Sequence, residues 1–288
     1  MSSRADTSVV TKPAEGLPWT LWMRQVLAIL RLEVKKNFWG RRAILIYLLA
    51  LLPVLLFSAI ALIPPDVGGR AEPAFLNMMF AGIYEILILR TVVFFGCAWI
   101  FMNLFRGEVV DRSLHYYFLS PLRREVLVVG KYLSGLLTSL ILFVSATAVS
   151  LLLLYLPLGY SASMKLLVEG HGLRYALIYL AITALACAGY GAVFLLIGLL
   201  FRNPIIPALA VYGWEFINFL LPPLLKKLSV IHYLQSLSPL PLAEGPFAIV
   251  AEPTPAWVAV PTLLIMTGLL LAFASLQIRR MEIRYGGE

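Results

Sequence analysis

Three charged side chains lie inside the long apolar runs of this sequence, and they are its first candidates for chemistry. Glu85 and Arg90 fall within one run. Glu215 falls near the middle of another, with Asn218 three residues later on nearly the same helical face. A charge in hydrocarbon costs several kcal/mol unless it is hydrated or paired. Arg90, Glu215 and Asn218 are therefore candidates for a membrane pathway or for an interface.

Spacing alone leaves more than one role open for these residues. Glu85 and Arg90 are five positions apart, which on an α-helix separates them by roughly 140° and predicts that they do not pair. Arg90 can then extend to the outer surface, line a polar pathway or pair with another helix. Glu215 can supply polar packing at a subunit interface or contact a transported substrate.

Residue patterns that would indicate catalysis or metal binding are missing from the sequence. His115, His171 and His232 fall in predicted non-membrane segments and lack ligand-like spacing to Cys, Asp or Glu. No HExxH pair, GxSxG elbow or GxxxxGK[ST] phosphate loop occurs. Cys97 and Cys187 both lie in apolar runs and are predicted to be buried packing residues. We expect this chain to have no catalytic activity, metal or cofactor of its own.

The composition indicates what kind of scaffold positions these residues. Of the 288 residues, 61% are hydrophobic and only 13% are charged, against about 25% charged in an average soluble domain. Such a chain folded in water would expose too much apolar surface. The composition therefore excludes a soluble enzyme or a nucleic-acid module, although the net charge is +8. It predicts an all-α membrane protein.

Apolar runs long enough to cross a bilayer number six, which predicts six transmembrane helices in one permease domain over residues 43–278. The predicted spans are about 43–63, 86–105, 132–156, 175–201, 203–225 and 256–277. Most of the 23 lysines and arginines fall before the first span, between the second and third, and after the last. The positive-inside rule then places both termini in the cytoplasm, with the chain in the plasma (inner) membrane and a tail at 279–288.

The segment before the first span divides into two parts. Residues 1–18 are polar and predict a flexible tail, whereas residues 19–42 are amphipathic. Arg24, Arg31 and Lys35 fall on one face of the second part, opposite a face of apolar residues. This pattern predicts a helix in the cytoplasmic headgroup layer. The alternative is a basic flank that only sets the topology.

The connection between the second and third spans is the most informative stretch, with the sequence RGEVVDRSLHYYFLSPLRREVLVVGKY over residues 106–132. Leu114, Phe118 and Leu119 can share one face of a short helix that Pro121 interrupts. A short amphipathic helix held along the membrane is typical of a docking surface for a soluble protein. A solvated basic connector is the alternative, but it does not account for the aromatic residues.

This stretch resembles the type 2 permeases of ATP-binding-cassette exporters. The matching residues are Glu108, Arg112, Ser113, Leu114, Ser120, Pro121, Arg123 and Lys131. The resemblance implies that the loop is a coupling helix seated in a groove of an ATPase subunit. Glu108 and Arg112 would orient the helix, and Leu114, Phe118 and Leu119 would be its buried anchors. It also implies an N-terminal connecting helix and short re-entrant helices within residues 226–252, between the fifth and sixth spans.

The function implied by this resemblance is that of the membrane subunit of an ATP-driven exporter. Two permease copies, or one copy and a paralogue, would line the pathway, and two separate ATPase subunits would bind ATP and Mg²⁺. Membrane lipid is an expected partner, and nucleic acid is not. Two other readings stay open: a secondary transporter driven by an ion gradient, and a non-transporting membrane anchor for a cytosolic protein. Lipids, lipid-linked glycans, amphipathic drugs and small peptides all remain compatible as substrates.

Overall fold

The architecture was derived from a computed structural model that describes residues 19–40, 43–63, 73–110, 123–159, 163–164, 171–240 and 252–280. Within these residues the secondary structure is helical, and no strand occurs among them. The all-α prediction is thus confirmed for the described part of the chain. The helices α1 to α8 are Trp19–Trp39 (α1), Ala43–Ala61 (α2), Pro73–Ile83 continued by Tyr84–Val93 and Phe94–Val110 (α3), Arg124–Ser139 continued by Leu140–Val144 and Ser145–Tyr155 (α4), Gly172–Leu200 (α5), Ile205–Phe216 (α6), Val230–Ser236 (α7) and Ala256–Arg280 (α8).

Five of these helices, α2, α3, α4, α5 and α8, are long and apolar enough to cross a membrane. The run predicted as a span over residues 203–225 is shorter: its helical part is Ile205–Leu220. The helix stops there because Leu221 is extended, with ψ 147°, and two prolines follow. A residue before proline disfavours the helical conformation, and proline itself offers no N–H. The chain has the architecture of a multi-pass membrane protein.

Helices α3 and α4 begin earlier than the predicted spans. The α3 helix begins at Pro73, and α4 begins at Arg124, whereas the sequence predicts spans that begin at 86 and 132. The first prediction counted about 20 residues back from Phe105, the length that a bilayer needs, and the second began after the charge of Lys131. In the folded chain Glu85 and Lys131 have partners, which allows the helices to continue through them. Lys131 consequently lies two turns inside α4.

Two segments of π-helix interrupt the long helices, at Tyr84–Val93 in α3 and at Leu140–Val144 in α4. A π-helix bonds each residue to the one five positions away rather than four, and such segments are often found at functional sites. The register of side chains along α3 therefore differs from that of an ordinary α-helix. This difference decides which charged residues meet.

Helices α3 and α5 form the centre of the bundle and approach each other closely. A Cβ atom at Gly198 would lie 2.8 Å from the Cα atom of Met102, so only glycine fits at this crossing. Phe94, Phe101 and Phe194 are buried between these helices. Phe94 packs edge to face on Phe194, and Phe101 lies against Gly191. Helix α1 packs along the first half of α4, α2 along its second half, and α8 against α4 and α5.

Large apolar side chains are exposed along the outward faces of α2 and α8, including Ile44, Leu48, Leu55, Ile265 and Leu269. An exposed apolar surface of this extent on a soluble protein would drive aggregation, whereas in a bilayer it meets lipid. The two faces thus agree with the membrane assignment. Four charged side chains are buried among the described residues: Glu33, Lys131, Glu215 and Lys226. The first three belong to two polar clusters along α3.

Candidate functional site

Two polar clusters lie at different levels of α3, one near the middle of the helix and the other near its end before the predicted coupling loop. One cluster includes Arg90, and the other includes the carbonyl of Leu104. At 1.5 Å per residue these positions are roughly 20 Å apart along the helix. We call the first the far-end network and the second the loop-end cluster, because the predicted coupling loop follows α3 at that end. Each cluster joins three or more segments of the chain.

Within the far-end network, Glu85 and Arg90 form an ion pair. The distance from Arg90 Nη2 to Glu85 Oε1 is 3.4 Å. The expectation that these residues do not pair was wrong, because it assumed an α-helix. Both residues lie in the π-helical segment Tyr84–Val93, whose five-residue bonding pattern brings positions five apart onto one face.

Contacts with other helices complete this pair. Arg90 Nη1 donates a hydrogen bond of 3.0 Å to the backbone carbonyl of Glu215 at the end of α6. Gln235, in α7, donates from Nε2 to Glu85 Oε1 at 2.6 Å. Of the three roles considered for Arg90, the structure shows pairing with another helix. The Arg90 and Glu85 side chains are 17% and 22% exposed, so the pair remains partly solvated.

The Glu215 carboxylate accepts four hydrogen bonds from its own chain. Its donors are the Tyr190 hydroxyl at 3.2 Å, the Ser229 hydroxyl at 2.9 Å, and the backbone N–H groups of Val230 and Ile231 at 3.0 and 2.8 Å. The first N–H groups of a helix have no partner within the helix, and a carboxylate also complements the helix dipole. Glu215 therefore holds the first turn of α7 against α5 and α6 as polar packing inside one subunit.

Asn218 lies in the helical turn after Glu215 and is also buried, at 1% exposure. Its side-chain oxygen has no hydrogen-bond partner among the described residues. The structure thus separates two residues that the sequence placed together: Glu215 is fully engaged, and Asn218 retains a buried acceptor. A buried acceptor without a donor is unfavourable, and it keeps Asn218 a candidate for a functional contact.

Helix α7 itself falls in the stretch where short helices were predicted. Val230, Ile231 and Leu234 are buried, and the helix contacts α5 and α8. A hydrogen bond of 3.1 Å joins His232 Nε2 to Thr254 beyond the gap in the described chain. Residues 241–251, in the second half of the predicted stretch, lie outside the described residues.

The loop-end cluster is built around Lys131, which is fully buried. Its Nζ atom donates to Glu33 Oε1 and to the backbone carbonyl of Leu104, both at 2.7 Å. The same ammonium lies 5.3 Å from the ring centre of Phe105, within range of a cation–π interaction. One side chain therefore joins α1, α3 and α4.

Sequence reasoning identified Lys131 but missed Glu33. Glu33 is the only acidic residue of α1, and it lies four residues after Ile29 on the face that packs against α4. An acidic residue on the buried face of a basic amphipathic helix was a usable signal. Its partner could not be named from sequence, because 98 positions separate Glu33 from Lys131.

A second group of charged residues lies at the same end of the bundle, where α4 begins and α8 ends. Arg124 Nη1 donates to the carbonyls of Ile278 and Arg279 at 3.1 and 2.9 Å, and Arg279 forms an ion pair with Glu125. The Arg123 guanidinium lies 4.7 Å from the ring centre of Trp22 in α1. An open pocket of about 460 Å³ lies between these side chains, lined by Arg123, Arg124, Glu125 and Arg279. We call it the arginine pocket.

Most of the predicted coupling residues lie outside the described residues. These are Arg112, Leu114, Phe118, Leu119 and Pro121. Glu108 belongs to the last turn of α3, although only its backbone is described, and Arg123 directly precedes α4. The described chain thus supplies the two helices that flank the predicted coupling loop and the contacts that join them.

The two cysteines have the role expected from the sequence. Cys97 and Cys187 are both unpaired thiols, and both are buried in the core of the bundle. They lie on α3 and α5, the two helices at its centre. Their prediction as buried packing residues is confirmed.

Comparison of the chain with known protein families gives no match. Comparison with curated protein sequences gives no match either. Functional inference for this protein therefore rests on its residues, on the pattern of its coupling-loop sequence and on the geometry of the two clusters.

Proposed function

We propose that this chain is the transmembrane permease subunit of an ATP-driven exporter of the type 2 ATP-binding-cassette class. It would form the substrate pathway as a dimer and couple to a separate ATPase subunit that binds ATP and Mg²⁺. In this arrangement α6 is the fifth of six spans, α7 belongs to a re-entrant segment, and α1 is the connecting helix. Both termini face the cytoplasm, in accord with the distribution of basic residues.

The observation that carries the proposal is the contact of Lys131 with Glu33 and with the Leu104 carbonyl. It ties together the helices on both sides of the predicted coupling loop and joins both to the amphipathic helix α1. A push on the loop would therefore move three helices as a unit rather than bend one connection. Nucleotide-driven transitions of this kind need a rigid element that has two packed positions.

The far-end network supports the same reading from the other side of the membrane. Glu215 fixes the first turn of α7, and Gln235 in the same helix contacts Glu85 on α3. Movement of α3 at the loop end is thereby linked to α7, which would lie near the substrate exit. A static membrane anchor has no need for buried polar contacts that join its two ends.

The experiment that tests the proposal is purification of the protein in mild detergent from its native host, with and without a non-hydrolysable ATP analogue. We expect a cassette ATPase to co-purify in stoichiometric amount. Replacement of Glu108 and Leu114 by alanine should abolish this association and uncouple ATP hydrolysis from transport. The matched control replaces Glu252 and Leu228 by alanine, which are exposed residues of the same types on the predicted outer side.

Three results would contradict the proposal. Absence of any ATPase under both conditions would favour a gradient-driven transporter. Retention of the ATPase by the Glu108 and Leu114 variant would remove the coupling-loop assignment. A stable partner that shows no nucleotide-dependent activity with this chain would favour a membrane anchor.

A further inference from the structure

The arginine pocket concentrates positive charge in a way that coupling to an ATPase does not explain. Three guanidinium groups and one carboxylate line it, which leaves an excess of two positive charges. Arg124, Glu125 and Arg279 have no part in the transport proposal. A volume of about 460 Å³ falls within the roughly 300–1,000 Å³ typical of small-ligand sites.

Each arginine of the pocket is held in place by a different neighbour. Arg124 is fixed by the last carbonyls of α8, and Arg279 by the Glu125 carboxylate. Arg123 stacks on the Trp22 ring, a contact that uses the face of the guanidinium and leaves its N–H edge for hydrogen bonds. Positively charged donors held in this way have lost part of their rotamer freedom before a ligand arrives, which favours binding.

The position of the pocket relative to the membrane indicates the source of its ligand. It lies at the first turn of α4 and the last turn of α8, where both apolar spans end. Headgroups of lipids lie at this depth, and tryptophan residues such as Trp22 are enriched there. Basic pockets between transmembrane helices on the cytoplasmic side are suited to anionic phospholipid headgroups.

We propose that the arginine pocket binds the phosphate headgroup of an anionic phospholipid from the leaflet that surrounds α1. The lipid phosphate accepts hydrogen bonds from Arg123 and Arg279, and Arg124 adds positive charge from the side of α8. Guanidinium–phosphate contacts of this kind are charge-assisted and can be bidentate. The site joins α1, α4 and α8 through a lipid and does not depend on the transport proposal.

The test uses the full chain in phosphatidylcholine nanodiscs that contain a graded fraction of phosphatidylglycerol, with retained lipid counted by native mass spectrometry. We expect one tightly held phosphatidylglycerol per chain. Arg123→Gln combined with Arg279→Gln should weaken its binding roughly tenfold or more, since contacts to charged groups are worth at least that factor. Arg123→Gln alone keeps the Arg279–Glu125 ion pair and should weaken binding by a smaller factor.

The matched control is Arg24→Gln combined with Arg31→Gln, which removes the same charge from exposed positions of α1. It should change the affinity less than twofold. An equal loss of phosphatidylglycerol affinity in the two double variants would mean that any positive charge near the membrane attracts the lipid, which would overturn the proposal. Unchanged binding in the pocket variant, with normal helicity and elution volume, would also overturn it. Tighter binding of inorganic phosphate than of phosphatidylglycerol at the same arginines would overturn the lipid as the ligand.

Discussion

The two polar clusters along α3 differ in how they hold charge. In the loop-end cluster the Lys131 and Glu33 side chains are 0% and 3% exposed, and the two atoms are 2.7 Å apart. In the far-end network the Arg90–Glu85 pair is 17% and 22% exposed, and its closest atoms are 3.4 Å apart. The far-end network spreads its contacts over more groups, with a backbone carbonyl for Arg90 and two hydroxyls and two backbone N–H groups for Glu215.

Glutamate and basic side chains thus serve two purposes in one bundle: they connect helices firmly at the loop end and position local segments in the far-end network. A buried ion pair is sensitive to the loss of one partner, because the remaining charge has no water to solvate it. Such a pair forms a firm connection between helices. A network that spreads its contacts over several side-chain and backbone groups positions local segments and tolerates partial loss more easily. We expect substitutions at the loop end to have the larger effects.

The largest effect is expected for Lys131→Met, which leaves the Glu33 carboxylate buried opposite an apolar side chain. Breaking one partner of a buried pair costs about 3–5 kcal/mol of unfolding free energy. The measurement is unfolding in mixed detergent micelles, with Lys35→Met as the matched control on the exposed face of α1. The double variant Glu33→Met with Lys131→Met should recover most of the loss.

Equal stabilities of Lys131→Met and Lys35→Met would show that the loop-end pair is not the stronger of the two clusters. If the double variant is no more stable than Lys131→Met alone, the loss arises from the Leu104 contact rather than from the buried charge of Glu33. Either outcome would contradict the claim that the buried Lys131–Glu33 pair is the stronger connection between helices.

An intermediate effect is expected for Glu215→Gln, which keeps the shape of the side chain but removes its charge and one accepting oxygen. Hydrogen bonds to charged groups contribute about 1.5–3 kcal/mol each, so we expect a loss of about 2 kcal/mol. Hydrogen exchange should rise at the amides of Val230 and Ile231, and Glu252→Gln on the exposed chain before α8 serves as the control. Unchanged exchange at those amides would contradict the capping role.

The same variant separates structure from transport. If the proposed ATP-driven transport is measured in reconstituted vesicles, a rate for Glu215→Gln equal to the native rate would remove the Glu215 charge from the proposed mechanism. A loss of transport in this variant, with normal hydrogen exchange at the amides of Val230 and Ile231, would instead favour a contact between Glu215 and the substrate.

The smallest effects are expected at the partly solvated ion pair. Arg90→Gln removes both the contact with Glu85 and the hydrogen bond to the Glu215 carbonyl, whereas Glu85→Gln can still accept a hydrogen bond from Gln235. Exposed and half-exposed pairs contribute roughly 1 kcal/mol or less. We expect Arg90→Gln to be the more destabilising in thermal unfolding, and Arg174→Gln, exposed at the start of α5, to be neutral. The reverse order would place the main interaction at Glu85.

Much of the fold could be predicted from the sequence because lipid imposes one simple condition. A backbone without water must bond to itself, so each long apolar run becomes a helix. This condition predicted α2, α3, α4, α5 and α8 as spanning helices. It did not predict that the helical run Ile205–Leu220 stops before Leu221 and two prolines. Nor did it predict the early starts of α3 and α4, where paired charges lie inside the helices.

The candidate site was predictable only in part. Charged residues within apolar runs can be recognised from the sequence, and this identified Arg90 and Glu215 as candidates. Their geometry was not visible, because the angle between Glu85 and Arg90 depends on a π-helical segment that the spacing of apolar residues does not indicate. Glu33 was missed because it lies in a segment that reads as a basic surface helix.

The sequence by itself predicted that this protein is helical and lies in a membrane. It also showed that a few charged residues fall inside its apolar runs. It also contains the amphipathic segment 106–132, from which a coupling loop is predicted. Only the tertiary structure decided which groups these charges contact. The Glu33 carboxylate and the Lys131 ammonium are 98 positions apart, and Arg90 is 125 positions from the Glu215 backbone carbonyl that it contacts. A buried charge is unfavourable unless another group pairs with it or bonds to it. The packing of the helices determines which group lies close enough to do so.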